Sequence, residues 1–133
     1  MSGEMNLDRL LASMEPSLAP ETFVFCTVSP ERTLEGLSPR MTFEEAEGRT
    51  LILVQYEAKA AGIDGEFPCR MITLNVHSAL EAVGFLAVIV PALAARGMGV
   101  NPVAGFFHDH LFIPADKAED AMECLHQLVA ERR

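Results

Sequence analysis

Four histidines and three cysteines are the side chains of this 133-residue sequence best suited to nucleophilic or metal chemistry. His108 and His110 alternate about Asp109, so the two imidazoles can share one side of an extended segment, as paired metal ligands do. A site of that kind needs a further ligand. Only His77 or His126 is available by type, and no spacing brings either close, so no metal is expected and the segment reads as a polar hairpin. Cys26, Cys69 and Cys124 are odd in number, lie far apart and form no CxxC pattern, which fits reduced, buried thiols. The glycines of Gly97-Met98-Gly99 follow a helical stretch instead of opening one, so they present no helix amides to a phosphate. Neither a Ser-His-Asp nor a Cys-His grouping can be argued from spacing. Glu44, Glu45 and Glu47 read as a solvated acidic turn. The chain is therefore expected to be no enzyme and to need no cofactor, because no acid, base and nucleophile converge.

Composition narrows the partners. Nineteen acidic against ten basic residues give a net charge of −9, and the longest basic run is Arg132-Arg133. Phosphate neutralisation needs clustered Lys and Arg, so nucleic acid is not expected. The first nine residues are polar and unlike a signal peptide, and the longest apolar run, 82–95, contains Gly84 and Pro91 and is too short for a bilayer. A cytoplasmic protein without a membrane segment is the expectation. Half of the residues are hydrophobic, enough for a substantial core.

The elements that must position any site follow from periodicity. Leu7, Leu10, Leu11 and Met14 predict an opening helix capped by Asn6 and stopped by Pro16. Residues 22–28 predict a buried strand, 41–43 and 50–55 a hairpin, and 57–61 a short helix ended by Gly62. In 71–76, Ile72, Leu74 and Val76 share one face of a strand. Ser78 and Glu81 stand three apart, as in a capping box, and predict a helix over 79–96 that is apolar nearly all round, with a kink at Pro91. One face can cover a sheet, and the other needs a further partner. Strands at 100–107 and 111–113 would flank a turn at Asp109. Ala118, Ala121, Met122, Leu125, Leu128 and Val129 form the stripe of a last helix, with Asp116 as its cap. The second half thus reads strand, helix, strand, strand, helix.

That order is a ferredoxin-like βαββαβ unit without its last strand, which the first half could supply. Over 81–101, EAVGFLAVIVPALAARGMGVN, the sequence resembles the ACT domain, with Gly84, Leu86, Ala87, Leu93, Ala94, Gly97 and Asn101 at its signature positions. FVFCTV, EGRTLILV, EAKAAGI, MITLNVHSALEAVG and FFHDHLFIP extend the resemblance, over residues 7–130, to a small bacterial family of tandem ACT-like proteins. Two departures are Pro91 within the helix and Ala82-Val83 in place of a polar pair. The fold implied is α+β, an antiparallel sheet with helices on one face, in two ACT-like halves at 1–65 and 66–133.

The resemblance implies a ligand at an interface between halves or subunits, near the first strand-to-helix loop and the start of the second strand. Those positions are His77, Ser78, Ala79, Leu80 and Glu81, and Met98, Val100 and Asn101. Backbone amides near residues 79–81, at the head of a helix, would favour a carboxylate, and Asn101 could orient an amine or amide. The plain alternative is that Ser78 and Glu81 only cap the helix. The expected function is a non-catalytic regulatory module binding a small metabolite, an amino acid, in a homo-oligomer. A structural protein–protein interaction module without a ligand is the alternative.

Overall fold

Asn6 opens the first helix as its composition predicts, its side-chain oxygen accepting from the Arg9 amide at 3.1 Å. The structure, a computed structural model, describes residues 6–76 and 83–133. Its elements are α1 (Leu7–Ser13), β1 (Glu15–Val28), β2 (Met41–Glu45), β3 (Gly48–Val54), α2 (Gln55–Ala60), β4 (Glu66–Asn75), α3 (Phe85–Ala94), β5 (Asn101–Ala104), β6 (Asp109–Pro114) and α4 (Ala118–Ala130).

Two compact units result, one of Met1–Ala19 with Arg70–Arg133 and one of Pro20–Cys69. The first is built on β4, α3, β5, β6 and α4, and its sheet runs β1-β4-β6-β5. This is the fourth–first–third–second order of a ferredoxin-like unit, with the opening residues of β1 as the fourth strand. The strand missing from the second half is thus supplied from the first. In the second unit β1, β2, β3, α2 and β4 follow the same order, here read as β2-β3-β1-β4, with β4 as fourth strand. Residues 29–40, between β1 and β2, contain no helix. Fold class is therefore α+β with an antiparallel ACT-like sheet.

Several boundaries differ from the sequence reading, each for a local reason. β1 begins at Glu15, not at residue 22, and runs through Pro16 and Pro20. Val83 and Gly84 are not helical, and Gly84 takes φ +90 at the N-cap of α3. Of the helix predicted over 79–96, residues 79–82 lie outside the described residues, and α3 spans Phe85–Ala94. It continues through Pro91, whose carbonyl accepts from the Ala95 amide at 2.9 Å. The turn expected at Asp109 lies earlier, where the Gly105 amide donates to the His108 carbonyl at 2.9 Å, and Asp109 is already in β6 opposite Ala104. Asp116 does not cap α4; it sits in a 3-10 turn, Ala115–Lys117, that leads into the helix.

The first unit's core gathers Leu10 and Leu11 from α1, Met14 just after it, Phe85, Ile89 and Leu93 from α3, and Ala121, Leu125 and Val129 from α4. Arg96 fastens the end of α3 to α4, donating to the Asp120 carboxylate at 2.6 Å and to Gln127 Oε1 at 2.9 Å. In the second unit Val24, Cys26, Leu51 and Leu53 pack with Ala58 and Ile63. No helix of the described residues is long and apolar enough to cross a membrane.

All three cysteines are buried and unpaired. Burial pushes the Cys69 thiol up to about 12, and burial, aided by the Asp64 carboxylate, raises that of Cys26. Cys69 Sγ donates to the Phe23 carbonyl at 3.4 Å. Unfolded thiols ionise near pH 8.5, whereas these hold their protons, so the folded state binds more protons above that pH and stability falls as pH rises toward 12. Urea midpoints should therefore decline between pH 8.5 and about 11, and Cys69→Ala should flatten part of the decline. An unchanged slope in the variant would remove Cys69 from this account.

Candidate functional site

Of the residues expected to bind a ligand, His77, Ser78, Ala79, Leu80 and Glu81 lie outside the described residues. The chain leading to them ends at Val76, whose amide donates to the Leu74 carbonyl at 2.7 Å, and beyond them it enters α3 at Gly84. The first intrahelical bond of α3 runs from the Val88 amide to the Gly84 carbonyl at 3.2 Å. The unsatisfied amides at the head of α3 belong to residues 84–87, whereas the amides expected near 79–81 lie outside the described residues. Among the described residues no side chain caps the 84–87 amides. Gly84, with its left-handed backbone, is the signal for this start.

Met98 is 4% exposed and packs in the core with Leu93 and Leu111. Val100 is half-buried, and Asn101 is exposed as the first residue of the edge strand β5, opposite Phe112. At the other end of the β5–β6 hairpin, His108 Nδ1 lies 3.4 Å from the Val76 carbonyl oxygen. Phe112 is four positions along the chain from His108, about 13 Å at the rise of an extended strand. Within this unit, then, Asn101 and the end of β4 stand at opposite ends of the hairpin, and one small ligand cannot touch both.

The histidine pair is engaged with β4. His110 Nδ1 is 3.0 Å from Thr73 Oγ1, and both imidazoles lean toward that strand. Among the described residues no three His, Cys, Asp or Glu side chains are placed to hold a metal ion. At the hairpin's tip Phe106 and Phe107 are exposed, with ring centroids 5.0 Å apart.

One face of α3 is open. Phe85, Ile89 and Leu93 turn inward, while Ala87, Pro91 and Ala94 are exposed and Val83, just before the helix, is 83% exposed. The doubly apolar helix read from the sequence thus has one covered face and one uncovered face made of small residues.

Clefts among the described residues offer further concave surface. In the first unit a cleft of about 510 Å³ is lined by Met14, Pro16, His126, Val129 and Arg133 among others. In the second unit a cleft of about 710 Å³ lies between the turn after β1 and the α2–β4 connection, with Phe25, Glu31, Arg32, Ile63, Asp64 and Glu66 in its lining. Sequence reasoning missed the latter, because its walls are two turns some thirty residues apart.

Residues 2–70 match a family model of the ACT domain, and residues 66–127 match another. No curated protein matches the chain. Among solved structures, a Vibrio cholerae protein of unknown function, described as a possible transport protein, is 40% identical over 92% of this chain and 95% of its own, with a TM-score of 0.85. The ligand-free regulatory subunit of Thermus thermophilus aspartate kinase is 15% identical, covering 89% of this chain and 97% of that one at a TM-score of 0.65. An Agrobacterium tumefaciens protein is 12% identical, over 87% of this chain and 89% of its own at 0.72. At such identities the last two show the fold alone.

Proposed function

The chain belongs to the ACT domain family, and on that premise we propose that it is a non-catalytic regulatory module that binds an amino acid at an interface with a second copy of itself. The carrying observation is that two ACT-domain matches, at 2–70 and 66–127, together span almost the whole chain. The likeness to the regulatory subunit of an aspartate kinase supports the regulatory part of the reading.

The geometry supports the second copy. Asn101 and the end of β4 are separated along the hairpin, so a ligand using both draws one of them from another molecule. The uncovered face of Ala87, Pro91 and Ala94 is smooth enough for a helix of another copy to approach closely. Amides of residues 84–87 would receive the ligand's carboxylate, with Asn101 of a second copy orienting its amine. Three unpaired thiols suit a reducing, cytoplasmic compartment. Binding acts by favouring one association state over another, since a ligand shifts only equilibria whose two states it binds differently.

Thermal unfolding with each common amino acid at millimolar concentration tests this. Ligand at about a hundred times its dissociation constant adds roughly 2.7 kcal/mol, a rise of several degrees for a chain of this size. One selective rise, reduced in Asn101→Ala, is the expected result. A flat panel would favour the ligand-free interaction module.

A further inference from the structure

Two uncharged surfaces of the first unit are exposed on a chain whose net charge is −9. One is the tip of the β5–β6 hairpin, where Phe106 and Phe107 are 67% and 62% exposed and meet edge-on. The turn that carries them is closely packed: a Cβ at Gly105 would stand 2.9 Å from the His108 carbonyl oxygen and 3.2 Å from His110 Nε2, and His110 is itself held to Thr73 of β4. The other surface is the outward side of α3. There Ala87, Pro91 and Ala94, with Val83 just before them, recur at spacings of three or four and so line one side of the helix, and α3 contains no charged residue.

Shape, charge and length select a second copy of the chain as what covers both. A convex aromatic pair and a smooth face of small residues are complementary, yet each is exposed, so they do not cover one another within the chain. A two-fold axis satisfies both at once, since the tip of each copy then covers the face of the other. Two acidic chains repel wherever their carboxylates meet, and these surfaces bring none together. The hairpin from Asn101 to its tip is about 16 Å long, and the ten residues of α3 span about 15 Å. Laid along α3 with its tip over Pro91 and Ala94, the hairpin of one copy carries Asn101 to the head of the helix in the other, at residues 84–87. The exposed parts of two phenyl rings amount to about 250 Å², so two tips with the faces beneath them bury about 1,000 Å² in all, at the low end for specific interfaces. Association of that size is weak and reversible, which is the condition under which a ligand can shift it.

We infer that two copies of this chain associate through a two-fold contact in which Phe106 and Phe107 of each cover Pro91 and Ala94 of the other. This deepens the reading proposed above by naming the surfaces that bring Asn101 to the α3 head of a second copy; it rests on that reading for the ligand and not for the contact.

Sedimentation equilibrium of the full chain without amino acid tests the contact separately from sensing. The unaltered chain should dimerise reversibly. A tip variant, Phe106→Ser with Phe107→Ser, and a face variant, Ala94→Glu, should each dimerise about tenfold or more weakly. Mixed in equal amounts, the two variants should associate more tightly than either does alone, because the mixed pair keeps one intact tip on one intact face, a gain that misfolding of either variant would not produce. An unaltered chain that stays monomeric at millimolar concentration, a tip variant that dimerises as well as the unaltered chain, or a mixture no tighter than its components would each overturn the contact. The last two would leave α3 meeting α3 instead, and the thermal unfolding panel judges amino-acid binding independently of all three.

Discussion

Leu93→Ala lowers the stability of the protein by about 3–5 kcal/mol and its melting temperature by about 10–20 °C. Leu93 is fully buried, and with Phe85 and Ile89 it forms the inward stripe of α3 at spacings of four residues. The core it belongs to draws on α1, β4, β6 and α4, so each neighbour is held by its own element and cannot collapse into the space left behind. Truncation therefore removes the transfer energy of the lost methyls and adds the cost of the cavity. Set against a total of about 5–15 kcal/mol for a domain, that is a large fraction. A loss below about 1 kcal/mol in urea unfolding would mean that α3 does not close the core as described.

Gly65→Ala has the next largest effect, about 1–3 kcal/mol, and its cause is a single neighbour. A Cβ at residue 65 would stand 2.5 Å from Val24 Cγ2 and 2.6 Å from Val24 Cβ. Val24 is 3% exposed within β1, and as a β-branched residue it has few rotamers into which it could retreat. Gly65 is itself exposed, so the need for glycine here comes from close approach to a strand and not from burial. The double variant Gly65→Ala, Val24→Gly should be more stable than the sum of the two single losses predicts, because the second change removes both the Cγ2 and the Cβ that the first would meet. Strict additivity in paired unfolding curves would contradict this origin.

The contrast between Leu93 and Gly65 marks what could be read in the residues. Leu93 belongs to a periodic apolar pattern, and such patterns announced α1, the β2–β3 hairpin, α2 and α4, as well as the strand, helix, strand, strand, helix order of the second half. Gly65 depends on a residue forty-one positions earlier, Val24, and no local pattern reports it. Pro16 and Pro20 hid the first part of β1, since a proline usually argues against a strand wherever its missing amide would be needed. The start of α3 at Gly84 was not read, because a glycine ahead of an apolar run carries no capping side chain. Asp109 has the composition of a turn, whereas the turn is carried by Gly105 and places two phenylalanines at its tip. The candidate amino-acid site was legible as a region, through the resemblance of 81–101 to an ACT domain. That Asn101 and the end of β4 lie at opposite ends of the hairpin was not, because it follows from the register of β5 against β6. Nor was the cleft of the second unit, assembled from two turns that share no sequence motif.

The central claim is that this ACT-family chain senses an amino acid through the head of α3 and the start of β5. Amide chemical-shift mapping on uniformly labelled protein, titrated with each common amino acid, tests it most directly. The account predicts saturable shifts with one amino acid, centred on residues 84–87 and on Val100 and Asn101, with the amides of 29–32 and 62–66 unmoved. Saturable shifts with none of the amino acids, or shifts confined to residues far from α3 and β5, would contradict it.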